Sequence, residues 1–155
     1  MQTVLRQPLF VEIAPGELLD KITILEIKRS RFHDRIKLGN VQVELDTLRA
    51  ARARALAEPA ELSSLIAELR TVNERLWDVE DALRQCERDS DFGSHFIELA
   101  RSVYQLNDQR AQLKRRINEL CGSTLIEEKC YGSATEAQPL SGDIRANPDH
   151  VPGRP

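Results

Sequence analysis

An uninterrupted apolar repeat between residues 62 and 86 is the feature that most limits how this chain can fold. Its members recur at intervals of three and four residues: Leu62, Leu65, Leu69, Val72, Leu76, Val79, Leu83 and Cys86. This spacing places them all on one face of an α-helix. Because so long an apolar seam has to pack against other helices, the repeat predicts an all-α fold with coiled-coil-like packing.

A second repeat with the same rhythm follows a polar loop at residues 89–94. Its apolar members are Phe96, Leu99, Val103, Leu106, Leu113, Ile117 and Leu120. One seam position, Arg110, is charged, and Gly122-Ser123 is a typical helix end. The two repeats therefore predict two long helices joined by a short loop.

The densest apolar run, P-G-E-L-L-D-K-I-T-I-L-E-I-K at residues 15–28, predicts a first helix. Its apolar residues form one stripe and extend beyond it, which is typical of a central helix buried on more than one side. The main stripe consists of Leu18, Ile22, Leu25, Phe32 and Ile36, and the residues outside it are Leu19, Ile24 and Ile27. We expect this helix to continue to about Leu38.

Gly39-Asn40 predicts a turn before a second helix, and Glu58-Pro59 predicts either a break or a kink at its end. Residues 9–13 are expected to be a short extended piece lying against the helices. The predicted fold is an all-α, antiparallel bundle of about four helices over residues 1–131. Residues 132–155, rich in Pro, Gly and Ser, are expected to be a disordered tail.

Composition excludes several classes of function. The net charge of −3 lacks the basic excess typical of nucleic-acid binding. No apolar run reaches the roughly 18 residues of a membrane span, and no signal peptide is evident. Three cysteines without C-x-x-C spacing indicate free thiols and a cytoplasmic protein. Cys121, Cys130 and His150 are of the right types for a metal site, but His150 falls in the expected tail, so neither a metal nor a cofactor is expected.

No catalytic motif is recognisable, but two polar sets are candidate sites. Three arginines interrupt apolar seams, and on an up-down bundle they converge at mid-height near Asn73: Arg29, Arg52 and Arg110. An anionic ligand, protein carboxylates or solvent at the seam edge could each satisfy them. The ligand version resembles the helical chorismate mutases in architecture alone, without their first-helix motif.

The second polar set lies where the first helix begins and the fourth ends, since these ends meet in an up-down bundle. It consists of Glu17, Asp20, Lys21, Glu127, Glu128, Lys129 and Tyr131. This set predicts either a polar docking site or a network of exposed ion pairs that holds the C-terminal segment.

Three motifs carry a family resemblance: P-G-E-L-L-D-K-I-T-I-L-E-I-K, K-L-G-N-V-Q-V-E-L and I-E-E-K-C-Y. They resemble a family of small bacterial proteins of unknown function, often encoded near lipopolysaccharide and glycosyltransferase genes. The chain departs from that pattern at Ala14 and Cys130, where the family has serine. The resemblance covers residues 9–131 and implies a bacterial origin and an association with surface-glycan assembly, but no catalytic residue.

These observations favour a non-enzymatic interaction or scaffold protein with a protein partner. The alternatives are a small-ligand bundle enzyme or anion-binding protein that uses the arginine layer, and a coiled-coil module that associates with its own copies.

Truncation after Tyr131 should leave the melting temperature nearly unchanged. Residues 132–155 contain too few large apolar side chains to offset the entropy lost on ordering them. Thermal unfolding followed by circular dichroism would measure this, and a fall of many degrees would contradict the assignment of a disordered tail.

Overall fold

Four α-helices make up most of the part of the chain that the structure, a computed structural model, describes: residue 7, residues 9–126 and residue 128. The helices are α1 (Pro15–Arg31), α2 (Arg35–Ala55), α3 (Ala60–Asp89) and α4 (Ser94–Leu120). No strand occurs in these ranges. The all-α helical bundle is thus confirmed, whereas the predicted tail at 132–155 lies outside the described residues.

The first helix is the centre of the bundle, as its sequence predicted. It packs against each of the other three helices, while α3 and α4 also pack against each other along their length. Leu19, Ile22 and Ile27 point to different sides of α1, and each is almost completely buried. A helix covered on several sides in this way holds the other three in register.

The two long helices form a hairpin whose seam is covered unevenly. On α3 the seam is buried from Leu62 to Leu76, whereas Val79 and Leu83 are only half-buried. The first helix ends at this level, where Arg31 donates a hydrogen bond to Asp78. The hairpin therefore extends beyond the end of α1, and Cys86, further along the α3 seam, is buried again.

The boundary between the first two helices was predicted wrongly. The first helix ends at Arg31, not near Leu38, because the Asp34 side chain accepts hydrogen bonds from the backbone N–H groups of Ile36 and Lys37 and so caps α2. Gly39-Asn40 consequently lies inside α2 instead of forming a turn. Ile36, assigned to the apolar face of α1, is 78% exposed.

Two other expectations about the connecting segments have clear outcomes. The chain breaks before Pro59, since α2 ends at Ala55 and Leu56 takes an extended conformation. The expectation that residues 9–13 lie against the helices is wrong: they form no strand, and Leu9, Phe10 and Val11 are highly exposed. A single short segment has no partner strand to hold it in place.

The N-terminus of α1 lies very close to the last turns of α4. The backbone N–H of Gly16 donates a 2.7 Å hydrogen bond to Oδ1 of Asn118. A Cβ atom at residue 16 would lie 2.5 Å from the backbone oxygen of Lys114 and 2.8 Å from Oδ1 of Asn118. Only glycine therefore fits at this position without moving one helix away from the other.

Replacing each of two helical glycines by alanine should change stability in opposite directions. Gly39 has open space around its Cα, so Gly39→Ala should stabilise the protein by about 0.5–1 kcal/mol through helix propensity. Gly16→Ala should destabilise it by about 1–3 kcal/mol, because the added methyl group forces two backbones apart. Urea unfolding of both variants measures the difference, and a stabilising Gly16→Ala would disprove the close contact.

Candidate functional site

The start of α1 is capped by a side chain of α4 instead of by the residue that precedes the helix. Ala14 precedes the helix and offers no side-chain acceptor, as expected from its sequence. The side-chain oxygen of Asn118, on α4, takes that role for the N–H of Gly16. Asn118 is 1% exposed, so this cap lies inside the protein and joins the first helix to the last.

A buried hydrogen-bonded group lies one to two turns further along α1. Asp20, Thr23 and Asn73 are all almost completely buried. The Asn73 amide nitrogen donates to Oδ1 of Asp20 at 2.8 Å and to Oγ1 of Thr23 at 2.9 Å. The Thr23 hydroxyl donates in turn to the backbone oxygen of Asp20. These bonds join α1 to α3 through polar groups within an otherwise apolar interface.

Two cations from α4 complete this group, which we call the Asp20 cluster: Asp20, Thr23, Asn73, Arg110 and Lys114. Nε of Arg110 lies 3.7 Å from Oδ2 of Asp20, an ion pair too long to be a hydrogen bond. Lys114 is buried, and its Nζ lies 2.6 Å from Oε2 of the more exposed Glu17. With Glu17 included, two carboxylates face two cations, so the charges balance.

Burial raises the pKa of the Asp20 carboxyl group above its ordinary value. The hydrogen bond from Asn73 and the charges of Arg110 and Lys114 act in the opposite direction, while the charge of Glu17 adds to the rise. Desolvation outweighs the lowering effects. The carboxylate is therefore held in an environment that favours its neutral form more than water does.

Each of the two buried asparagines leaves one side-chain atom without a hydrogen bond. Oδ1 of Asn73 and Nδ2 of Asn118 are buried and have no partner in the described part of the chain. Buried polar atoms of this kind are rare, and each carries a desolvation cost. The Asp20 cluster is thus a polar site with hydrogen-bonding capacity that the described residues leave unused.

A groove of about 510 Å³ lies beside this cluster, between α3 and α4 and next to Ile24 of α1. Asn73 and Arg110 of the Asp20 cluster both line the groove, so the groove adjoins the cluster. Leu76 and Trp77 supply apolar surface. We call this feature the Arg110 groove.

The structure brings together only part of the predicted arginine layer. Arg110 and Asn73 share the Asp20 cluster, whereas Arg29 is exposed near the end of α1. Arg29 lies nine positions after Asp20, which is about 13 Å along the axis and on the opposite face of the helix. Arg52 pairs with Glu58 at 2.8 Å on the far side of the bundle's central helix.

The predicted polar set at the chain ends is divided among several partners. Glu17 pairs with Lys114, Lys21 with Glu44 at 2.7 Å, and Glu128 with Arg115 at 3.5 Å. Asp20 is in the buried cluster instead of at the surface. The remaining members, Glu127, Lys129 and Tyr131, lie outside the described residues.

Sequence reasoning missed three members of the site: Thr23, Lys114 and Asn118. A signal for two of them was present, because Arg110, Lys114 and Asn118 follow one another at intervals of four and so share one face of α4. The apolar rhythm of Leu113 and Ile117 drew attention away from that polar stripe. Buried polar residues adjacent to an apolar seam cannot be told from exposed ones by spacing alone.

The described residues contain neither a metal-binding cluster nor a membrane-spanning helix. Within residues 7, 9–126 and 128, no three His, Cys, Asp or Glu side chains are arranged to hold a metal ion. None of the four helices is long and apolar enough to cross a bilayer. Cys86 is buried. Burial raises the pKa of the Cys121 thiol, which disfavours the reactive thiolate form of that residue.

The fold and site define a four-helix protein whose central helix is joined to its neighbours through a buried ionic cluster. Residues 9–143 match a family of unknown function, DUF6165, and the chain belongs to that family. The resemblance to a family of unknown function is confirmed to that extent. Neither a functionally curated protein nor a solved structure matches the chain.

Asp20→Asn should change how stability depends on pH. Because its pKa is raised, Asp20 binds its proton more tightly in the folded protein than in the unfolded chain. The free energy of unfolding should therefore fall as pH rises from the unfolded value of about 3.8 through the folded pKa. Asp20→Asn removes this dependence. The free energy of unfolding of the variant minus that of the parent should therefore be more positive at pH 7 than at pH 4, as measured by urea unfolding.

Asp34→Asn is the matched control for this experiment. Hydrogen bonds from the backbone N–H groups of Lys37 and Ile36 lower the pKa of Asp34. Its contribution to stability is present above pH 3.8 and is lost as pH falls through the folded pKa. For Asp34→Asn, the free energy of unfolding of the variant minus that of the parent should become less positive as pH rises, the opposite of Asp20→Asn. A change of the same sign in both variants would contradict the assignment.

Proposed function

We propose that this protein is a non-enzymatic interaction protein that binds a partner protein through one end of its bundle. The observation that carries this proposal is a set of large apolar side chains in solvent where α1 begins and α4 ends. We call it the apolar end surface, and its members are Leu9, Phe10, Val11, Ile13, Leu125 and Ile126.

Exposure of these residues is high for their type. Leu9, Phe10 and Val11 are 83%, 87% and 77% exposed. Single apolar residues scattered over a surface need no explanation, but several large ones at one end of a bundle are typical of protein interaction sites. The burial of Leu9 and Phe10 alone by a partner would contribute several kcal/mol, at about 1.5–3 kcal/mol for each side chain.

The two segments that form this surface are close in space. The Thr124 hydroxyl donates a 3.4 Å hydrogen bond to Oε1 of Glu12, which joins the segment before α1 to the segment after α4. The bond between Gly16 and Asn118 brings the adjoining helix ends together. A partner would therefore meet one surface built from both ends of the described chain, and the family match includes both of its segments.

The resemblance to a bacterial family encoded near lipopolysaccharide and glycosyltransferase genes suggests the nature of that partner. On this basis we propose a cytoplasmic enzyme of surface-glycan assembly as the partner. This part of the proposal rests on the motifs of the sequence and not on the geometry of the surface.

Site-specific photo-crosslinking in cells that express the protein would test the apolar end surface. A photoreactive amino acid at Phe10 should form a crosslink to one partner protein. The same amino acid at Ile36, which is 78% exposed against 87% for Phe10 but lies on α2, is the matched control and should not form that crosslink. A crosslinked dimer of the chain would instead favour self-association, and no specific product at Phe10 would contradict the proposal.

Phe10→Ser combined with Val11→Ser should abolish the Phe10-dependent interaction without unfolding the protein. Because both side chains are exposed, the change in stability should stay within about 0.5 kcal/mol. Co-purification of the crosslinked partner and urea unfolding measure the two effects. A large loss of stability would show that the segment is part of the fold instead of a docking surface.

A further inference from the structure

We propose that the Arg110 groove binds a small hydroxycarboxylate with an apolar tail. In this assignment Arg110 holds the carboxylate, the oxygen of Asn73 accepts a hydrogen bond from the hydroxyl group, and the tail lies against Leu76 and Trp77. The site is distinct from the apolar end surface, since it is formed by the middle of α3 and α4.

Arg110 is suited to an external anion because its bond to the protein's own acid is loose. Its side chain is 32% exposed, and its Nε is 3.7 Å from Oδ2 of Asp20. Asp20 already accepts a hydrogen bond from Asn73 and has Lys114 as a second neighbouring cation. A ligand carboxylate can therefore engage the planar guanidinium group without taking a hydrogen bond away from Asp20.

The other charges of the groove limit the charge of the ligand. Glu80 and Asp81, two turns further along α3 than Asn73, also line the groove, and Arg84 pairs with both, at 3.1 Å and 3.9 Å. The acids outside the Asp20 cluster thus outnumber the arginine beside them by one. A dianion such as phosphate would be repelled by this excess, whereas a single carboxylate held at Arg110 would be affected less.

Asn73 supplies the second, independent indication of a ligand. It lines the groove and is 4% exposed, and no described residue donates a hydrogen bond to its Oδ1. A 180° flip of the Asn73 side-chain amide would not give Oδ1 a partner without loss, because the amide nitrogen already donates to both Asp20 and Thr23. A hydroxyl group close to a ligand carboxylate would supply the donor that the described residues do not.

The remaining walls favour an apolar body of modest size. A groove of about 510 Å³ is within the range of small-molecule sites. Leu76 and Ile24 are aliphatic, and the Trp77 ring is half-buried, with its N–H donating to Asp81 at 2.9 Å. The tryptophan is therefore fixed in orientation at the edge of the groove.

Trp77 also provides the measurement, because it is the only tryptophan of the chain. We would titrate the full-length protein with 2-hydroxyhexanoate, hexanoate, 1-hexanol and inorganic phosphate and follow tryptophan fluorescence. Both carboxylates should give saturable changes, with 2-hydroxyhexanoate binding several-fold more tightly, while hexanol and phosphate should bind at least tenfold more weakly. Equal affinity for the two acids would overturn the role of Asn73.

Variants at Arg110 separate anion recognition from simple apolar binding. Arg110→Met should weaken carboxylate binding at least tenfold, and Arg110→Lys, which keeps the charge but lacks the planar fork, should weaken it less. Arg101→Met, on the opposite face of α4, is the matched control and should bind as the parent protein does. Circular dichroism would establish that each variant is folded. If Arg110→Met does not fold, the carboxylate affinity of Arg110→Lys serves as the test instead.

Three results would overturn the proposal. The first is the absence of any saturable fluorescence change below about 10 mM carboxylate, which corresponds to a binding free energy of less than about 3 kcal/mol. The second is equal affinity for hexanol and hexanoate. The third is an equal loss of carboxylate affinity in Arg110→Met and Arg101→Met.

Discussion

The close approach of α1 to α4 at Gly16 is the contact on which the rest of the structure depends. With no side chain at residue 16, the backbone of α1 comes within hydrogen-bonding distance of Asn118. This contact sets the height of α1 between the two helices of the hairpin. Because α1 is the helix that touches all the others, its position determines which residues of α3 and α4 are buried.

The Asp20 cluster then determines how α1 is turned about its own axis. A purely apolar interface between long Leu-rich helices allows several registers of similar energy, whereas a buried carboxylate with specific donors allows one. Breaking these bonds in another register would leave Asp20 and Asn73 buried without partners, at a cost of about 1–3 kcal/mol for each group. The cluster therefore selects one arrangement even where it adds little net stability.

The sequence predicted the elements of the fold better than their junctions. The seam from Leu62 to Leu76 and the central position of α1 follow directly from apolar spacing, which reports what a helix buries. The end of α1 did not follow, because the cap at Asp34 competes with a Gly-Asn pair that resembles a turn more strongly. Tertiary packing permits the helical glycine at residue 39, at a cost of about 1 kcal/mol that a local pattern cannot weigh.

The candidate site was predictable only where a polar residue interrupted an apolar repeat. Arg110 was found because it occupies a seam position, and Asn73 because it lies at the same height. Arg29 occupies a similar position in sequence, but α1 ends two residues later, so no helix covers it and it remains in solvent.

The contrast between Arg29 and Arg110 shows why the seam position of a charged residue is an insufficient guide to function. What distinguishes Arg110 is the set of groups around it: a buried acid shared with Lys114, an asparagine with an unused acceptor, and an adjoining groove. None of these neighbours is close to Arg110 in sequence except Lys114. The chemistry of the site therefore arises from the way the Gly16 contact positions α1 against α3 and α4.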